Sequence, residues 1–306
     1  MPKVLMYARA TILAMALVLQ AYAPPALEPA AVSIGSPKKT HPPDPEDVAF
    51  FENKIELACA SQTLPDRALA VAKSFIGTPY KTGTLDIGTE ERLTINLRAV
   101  DCWTFMEASL AIALTAEAAD PAFDTLQKYV QQLRYWGGTV NGYASRIHYF
   151  SGWLLQAEKL GYLRDITREL GGVAFRNNIG YMTARPKKYP RLHDPATFRQ
   201  MRQVEERLNR HPWHFIPQGS IEKMEHTIRE GDLVAITSGK RDLDIAHQGF
   251  AVRKNGRVFL LHASSLGRRV LISAQPLAQY VIAQKGQTGI MVARLSANGR
   301  PDIEKR

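Results

Sequence analysis

The sequence predicts an α+β protein, with helices first and an antiparallel sheet after them. Three observations carry this. Helix caps and helical apolar spacing crowd residues 44–133. The C-terminal third is rich in short β-type runs. Asn255-Gly256, set between two such runs, is the strongest short hairpin signal a sequence can offer.

The N-terminus reads as a secretory signal, residues 1–23. Lys3 and Arg9 supply the charge, Thr11 to Leu19 is the apolar stretch, and Ala21-Tyr22-Ala23 is a small-x-small cleavage site. Pro24 directly after it fits a signal peptidase poorly, and a retained N-terminal anchor is the competing reading. The apolar run is short for a bilayer span, so no stable span is expected once the signal is removed. The protein is therefore expected to be exported and periplasmic. Residues 24–45 follow as a proline-rich linker.

Asp44-Pro45-Glu46 gives an N-cap, a proline at the first helical position and an acidic first turn, so a helix is expected to about Ala60. Pro65 to Phe75 gives a second, stopped at Gly77-Thr78-Pro79. A loop and a short strand near Leu93 to Leu97 lead to a helix opening at Cys102 and running through Leu114. Phe123 to Leu133 is another. Residues 164–225 are strongly basic and read as a helical insertion, with Asp194-Pro195 capping a helix through Leu208. Strands are expected at Gly231 to Ile236, Ile245 to Val252, Val258 to Leu261 and Ile290 to Leu295. There is no internal repeat.

The chain has 306 residues, 45% hydrophobic and 22% charged, which is enough for one large core over residues 46–300. Its net charge of +10 invites a nucleic-acid reading, but no finger, zipper or aromatic RNA-binding signature accompanies it. An anionic cell wall or its fragments suits an exported basic protein better. No H-E-x-x-H or similar spacing calls for a metal, and no cofactor is expected.

Cys102 is the first chemical candidate. A cysteine in the first turn of a helix faces unpaired N–H groups and the positive end of the dipole, which favours its thiolate. The only other cysteine, Cys59, sits on a helical pattern and reads as a small buried residue, so a disulfide between the two is the less favoured reading.

The hairpin supplies a base by arithmetic. With Asn255-Gly256 as a two-residue turn, Lys254 pairs with Arg257 and partner numbers sum to 511. His247 and His262 then share a face as diagonal neighbours, roughly 7 Å apart at the backbone. Gly249, opposite His262, leaves room for its ring. One imidazole can take the thiol proton while the second fixes its tautomer. A surface or core histidine is the plain alternative, and a one-residue slip separates the two rings.

Several short motifs occur in order: Gly77-Thr78-Pro79-Tyr80, Asn96-Leu97-Arg98, Asp101-Cys102-Trp103-Thr104-Phe105, Ser145-Arg146-Ile147-His148-Tyr149-Phe150, Gly231-Asp232-Leu233 with Asp244-Ile245-Ala246-His247-Gln248-Gly249, and Leu261-His262-Ala263-Ser264-Ser265. Together they resemble the N-acetylmuramoyl-L-alanine amidase-like family of NlpC-type, papain-like cysteine peptidases, over roughly residues 60–296. The resemblance implies helices packed on an antiparallel β-sheet or barrel. It implies Cys102 as nucleophile, His247 as base and His262 as the polar third residue. Tyr80 and Asp101 match positions that line the site, against plain readings of packing and N-cap. Arg146 and His148 fall in a motif that contacts or buttresses substrate. Ala246 stands where the family often has serine. The implied activity is hydrolysis of the N-acetylmuramoyl–L-alanine amide, with 1,6-anhydro-muropeptides as candidate substrates. An endopeptidase cutting γ-D-Glu–diaminopimelate and an inactive wall-binding module are the alternatives.

Overall fold

The computed structural model describes residues 40–297, so the signal reading and most of the linker lie outside the described residues. Helix α1 spans Pro45–Cys59, with the Asp44 side chain accepting from the Glu46 N–H at 2.9 Å. Helix α2, Leu64–Ser74, is capped by Thr63. Helix α3, Cys102–Thr115, is buried continuously from Thr104 to Thr115. A helix apolar on every side must be surrounded. Here α1 Pro45–Cys59, α2 and α4 (Phe123–Arg134) pack on it, and Phe105 carries the contact onward to the sheet, its ring 5.8 Å from Phe250. Helix α5 is Phe150–Lys159.

The sheet has eight strands, every pair antiparallel: β1 Leu163–Asp165, β2 Val173–Ala174, β3 His214–Pro217, β4 Leu233–Ser238, β5 Ile245–Lys254, β6 Arg257–Ser264, β7 Arg269–Ile272 and β8 Gln287–Leu295. Their order is β2-β3-β8-β4-β5-β6-β7, with β1 also on β8. The end strands do not pair with each other, so the sheet is open and the barrel alternative is not what forms. Residues alternate between faces, as the two-residue period requires. Ala235, Phe250, Val252, Leu261 and Met291 join the core with the helices. Val234, Ile236, Ala251, Leu260 and Val292 join a second core. That second core is completed by the short helices α7 (Ile221–Met224) and α8 (Leu277–Ala283).

Three expectations change. The basic stretch holds helix α6, Pro195–Arg210, capped by Asp194 as anticipated, but it also contributes β2 and β3. Because β3 pairs with β8, the stretch is partly woven into the main sheet instead of being a purely helical insertion. Near Leu93 there is a single bridge to Thr40 and no strand. Cys59 is exposed, not buried, and both thiols are free. The inward stripe of α1 is Asp47, Phe51, Lys54 and Ala58, and the next residue turns about 100° away from it.

Candidate active site

Cys102 is the first residue of α3, and Asp101 is the N-cap. Asp101 Oδ1 accepts from the Trp103 N–H (3.1 Å), the Thr104 N–H (2.8 Å) and the Thr104 hydroxyl (2.9 Å). The Asp101 N–H returns a bond to Thr104 Oγ1 at 2.9 Å. This reciprocal box satisfies donors that the first turn would leave unpaired. Of the two roles considered for Asp101, these bonds supply the cap.

The N–H groups of Cys102, Trp103 and Gln248 reach the Cys102 sulfur, so it lies against β5 at the residue after His247. Burial nonetheless pushes the thiol up to about 12, and the Asp101 carboxylate adds to the rise. The three donors pull the other way and lose. Desolvating the sulfur thus outweighs the helix-terminal donors and disfavours the thiolate that the helix start alone would favour.

The hairpin carries the histidines as the register arithmetic predicts. Lys254 pairs with Arg257, and the ladder runs to Phe250 opposite Leu261. Asn255 and Gly256 both have positive φ, 51° and 77°, the conformation a type I′ turn needs. His247 Nε2 lies 2.6 Å from His262 Nδ1, with the rings near perpendicular. A Cβ on Gly249 would stand 3.0 Å from the His262 Cβ and 2.5 Å from the Leu261 carbonyl, so only glycine admits this approach. On the opposite edge of β5 the pairing slips: Ile236 faces His247, but Thr237 faces Ile245. Ala246 is the extra residue of that bulge, a feature that re-aims a strand next to a site.

Burial lowers His247 to about 4. It also lowers His262 to about 3, with His247 contributing second. His262 is 1% exposed and its Nε2 has no partner among the described residues. The Tyr280 ring packs on His262 at 5.3 Å, and its phenol also senses Cys102. Cys102 thus shares a neighbour with each histidine: Gln248 beside His247, and Tyr280 on His262.

Tyr80 is held between two segments. Its N–H donates to the Arg268 carbonyl (2.9 Å), and it bridges to Val100, two residues before the cysteine. Burial raises its phenol to about 12, with Cys102 the next cause.

Arg146 and His148 sit farther along a cavity of about 470 Å³ that also takes in Asp101, Trp103, Lys188 and Arg191. Asp101 and Trp103, the neighbours of Cys102 in the chain, carry the first turn of α3 to this cavity. Arg146 is buried and ion-paired with Asp86 and, at 3.5 Å, with Glu91. His148 Nε2 meets the Tyr143 carbonyl at 2.9 Å, and burial takes its pKa down to about 3. Under the first turn of α3, the Trp103 indole and the Arg134 guanidinium favour ionised Glu107 against the burial that raises its pKa. Arg134 Nε donates to Glu107 at 2.9 Å. Tyr280, Lys188 and Arg191 were not singled out by sequence; each reaches the site through a fold contact that no local pattern encodes. No group of three or more His, Cys, Asp and Glu side chains forms a metal-ligand set among the described residues.

The sequence model of a family described as N-acetylmuramoyl-L-alanine amidase-like (AmiA-like) matches residues 70–290. No curated protein matches. Among solved structures, an N-acetylmuramoyl-L-alanine amidase from Bacteroides uniformis is 32% identical, at a TM-score of 0.70, over 75% of this chain and 98% of its own. A protein from Bacteroides fragilis described as a candidate xylanase is 35% identical, at a TM-score of 0.68, over 73% and 98%. A Legionella pneumophila protein at 18% identity and a TM-score of 0.65, over 82% and 94%, shares the fold.

Proposed function

The chain belongs to the N-acetylmuramoyl-L-alanine amidase-like family, and from that premise we propose that it is a cysteine-dependent hydrolase of cell-wall fragments, exported to the periplasm, that cuts the N-acetylmuramoyl–L-alanine amide. The observation that carries the chemistry is the 2.6 Å His247–His262 bond beside a helix-start cysteine. His247 Nε2 is engaged with His262, which leaves Nδ1 as the nitrogen that takes the thiol proton. For that, Nε2 must carry hydrogen and donate to His262 Nδ1, so His262 holds its own proton on Nε2.

The Cys102 sulfur attacks the lactyl carbonyl carbon as the thiol proton moves to His247. The carbonyl oxygen becomes an oxyanion, stabilised by the helix-start N–H of Cys102 and the Tyr80 hydroxyl. Collapse breaks the C–N bond, and His247 returns the proton to the departing L-alanine amine. Water then attacks the thioester, giving its proton to His247, and releases the carboxylic acid and the free thiol. The neutral thiol and neutral imidazole of the resting site make proton transfer part of the attack step. The 1,6-anhydro-muropeptides are the favoured substrates within this reading.

The xylanase description of one neighbour finds less support. Glycoside hydrolysis takes two carboxylates free to act as acid and base or nucleophile. The cavity carboxylates Asp86 and Asp101 are committed, one to Arg146 and one to the helix cap.

Digestion of defined muropeptides with mass spectrometry of the products tests the proposal. Release of the intact stem peptide supports it, and faster release from 1,6-anhydro than from reducing sugars supports the substrate preference. Release of sugar still bearing L-Ala-D-Glu would instead assign the endopeptidase reaction. No product from the wild type, or equal product from Cys102→Ala, sinks the hydrolase.

A further inference from the structure

The cavity lined by Asp101 and Trp103 holds two cations that no carboxylate among the described residues pairs. Of its charged groups, Arg134 is paired with Glu107 and Arg146 with Asp86 and Glu91. Asp101 caps the helix through Oδ1, accepting from the Trp103 and Thr104 N–H groups. His148 is held neutral by burial. Two cations remain, Lys188 and Arg191, and neither has a carboxylate partner among the described residues. Arg191 is positioned nonetheless: its Nη2 donates to the Gly88 carbonyl at 2.7 Å, joining the two loops that face each other across the cavity. Lys188 and Arg191 come from consecutive short 3-10 turns, Pro186–Lys188 and Pro190–His193, which set the two side chains on one rim. Tyr189, between them, lines the same cavity, as do Trp103 and Tyr143.

A cavity of this size with aromatic walls and two cations without carboxylate partners in its lining suits an amphipathic anion. In a muropeptide the sugar is uncharged and the carboxylates belong to the peptide. We infer that Lys188 and Arg191 form a carboxylate subsite that holds the free α-carboxylate of the D-glutamate next to the scissile L-alanine. This rests on the hydrolase reading above and adds a direction to it: the peptide lies toward the basic loop, with the sugar on the other side of Cys102. The woven-in basic stretch thereby has a part in choosing substrate.

A matched pair of substrates isolates the charge: 1,6-anhydro-N-acetylmuramoyl-L-Ala-D-Glu with its γ-carboxyl blocked as the carboxamide, and the same compound with both carboxyls as carboxamides. The wild type is expected to favour the acid by about 10-fold in kcat/KM, chiefly through KM, with the preference shrinking as salt is added. Lys188→Gln and Arg191→Gln should each reduce the preference, and the double variant should bring it to unity. Equal kcat/KM for acid and amide in the wild type overturns the subsite, as does an unchanged preference in the double variant. If the wild type cleaves neither compound, the hydrolase reading fails on its own. Calorimetric binding of the two dipeptides to Cys102→Ala then decides the subsite. Acid-selective binding lost in the Lys188→Gln/Arg191→Gln background supports it, and unselective or absent binding overturns it.

Discussion

His262 Nδ1 stands 2.6 Å from His247 Nε2, and the strand register that holds the two rings together depends on one residue, Gly249, having no side chain. A histidine in the third position can orient a base but is itself titratable. Replacing it by a neutral donor-acceptor keeps the bond and removes the titration. His262→Asn is expected to retain measurable turnover, lowered by about 10- to 100-fold in kcat, whereas His247→Ala should lose about 10³-fold or more. Steady-state kinetics on one muropeptide check this. Equal losses for the two variants would leave no distinction between base and orienter.

The pH dependence follows from burial. With His247 held down to about 4 and Cys102 pushed up to about 12, the free enzyme keeps a neutral base and a protonated thiol across the whole range between. The expected kcat/KM profile is therefore flat from about pH 5 to pH 9, and its acid limb lies well below the ordinary histidine value near 6.5. Iodoacetamide alkylation of Cys102 should rise steadily with pH and show no acidic plateau. A plateau near pH 6 would mean a resting thiolate–imidazolium pair.

Stability has its own pH signature, with a definite sign. His148, His247 and His262 all have folded-state values below that of an unfolded chain. The unfolded chain therefore binds protons first as pH falls, and stability drops between about pH 6.5 and pH 3, while above 6.5 these groups contribute no slope. Urea midpoints across that range should show the fall. His148→Asn should flatten it measurably.

Glu107 and Arg134 form an ion pair beneath the first turn of α3, both almost completely buried. Removing one partner strands the other's charge, at a cost of about 3–5 kcal/mol. Arg134→Met is expected to lose about that much in denaturant unfolding, and Glu107→Gln in the Arg134→Met background to recover part of it. If the double variant is no more stable than Arg134→Met, the stranded carboxylate is not the cause.

The parts of the fold legible in sequence are those written in local residue chemistry. Asp44-Pro45 and Asp194-Pro195 announce helix starts because cap and proline act within one turn. Asn255-Gly256 fixes a register because both residues tolerate positive φ, and that register brings His247 and His262 together. What local chemistry does not encode is contact between distant segments. The Gln248 N–H at the Cys102 sulfur and the Tyr280 ring on His262 arise only when α3 and α8 close on the hairpin. Burial of the thiol is of the same kind: the helix start argues for a thiolate, and only the packed neighbours reverse it. Cys59 failed for a simpler reason, since one residue off the helical stripe suffices to expose it.

Gly249 is the most demanding test of the hairpin geometry, because no positive φ is involved and space alone is at issue. An added Cβ meets the Leu261 carbonyl at 2.5 Å and the His262 Cβ at 3.0 Å. Neither is the end of a flexible side chain, so the strands must part. Gly249→Ala is therefore expected to cost about 1–3 kcal/mol in unfolding free energy. The same displacement falls on the ring pair, where a 2.6 Å bond has little slack, so kcat should fall by at least about 10-fold even in the fraction that remains folded. Gly256→Ala is the comparison that separates the two effects. It strains a positive-φ turn with nothing within 4 Å of the new methyl, so it should lower stability with kcat nearly unchanged. A Gly249→Ala enzyme with wild-type kcat would show that the His247–His262 contact is not what sets the rate.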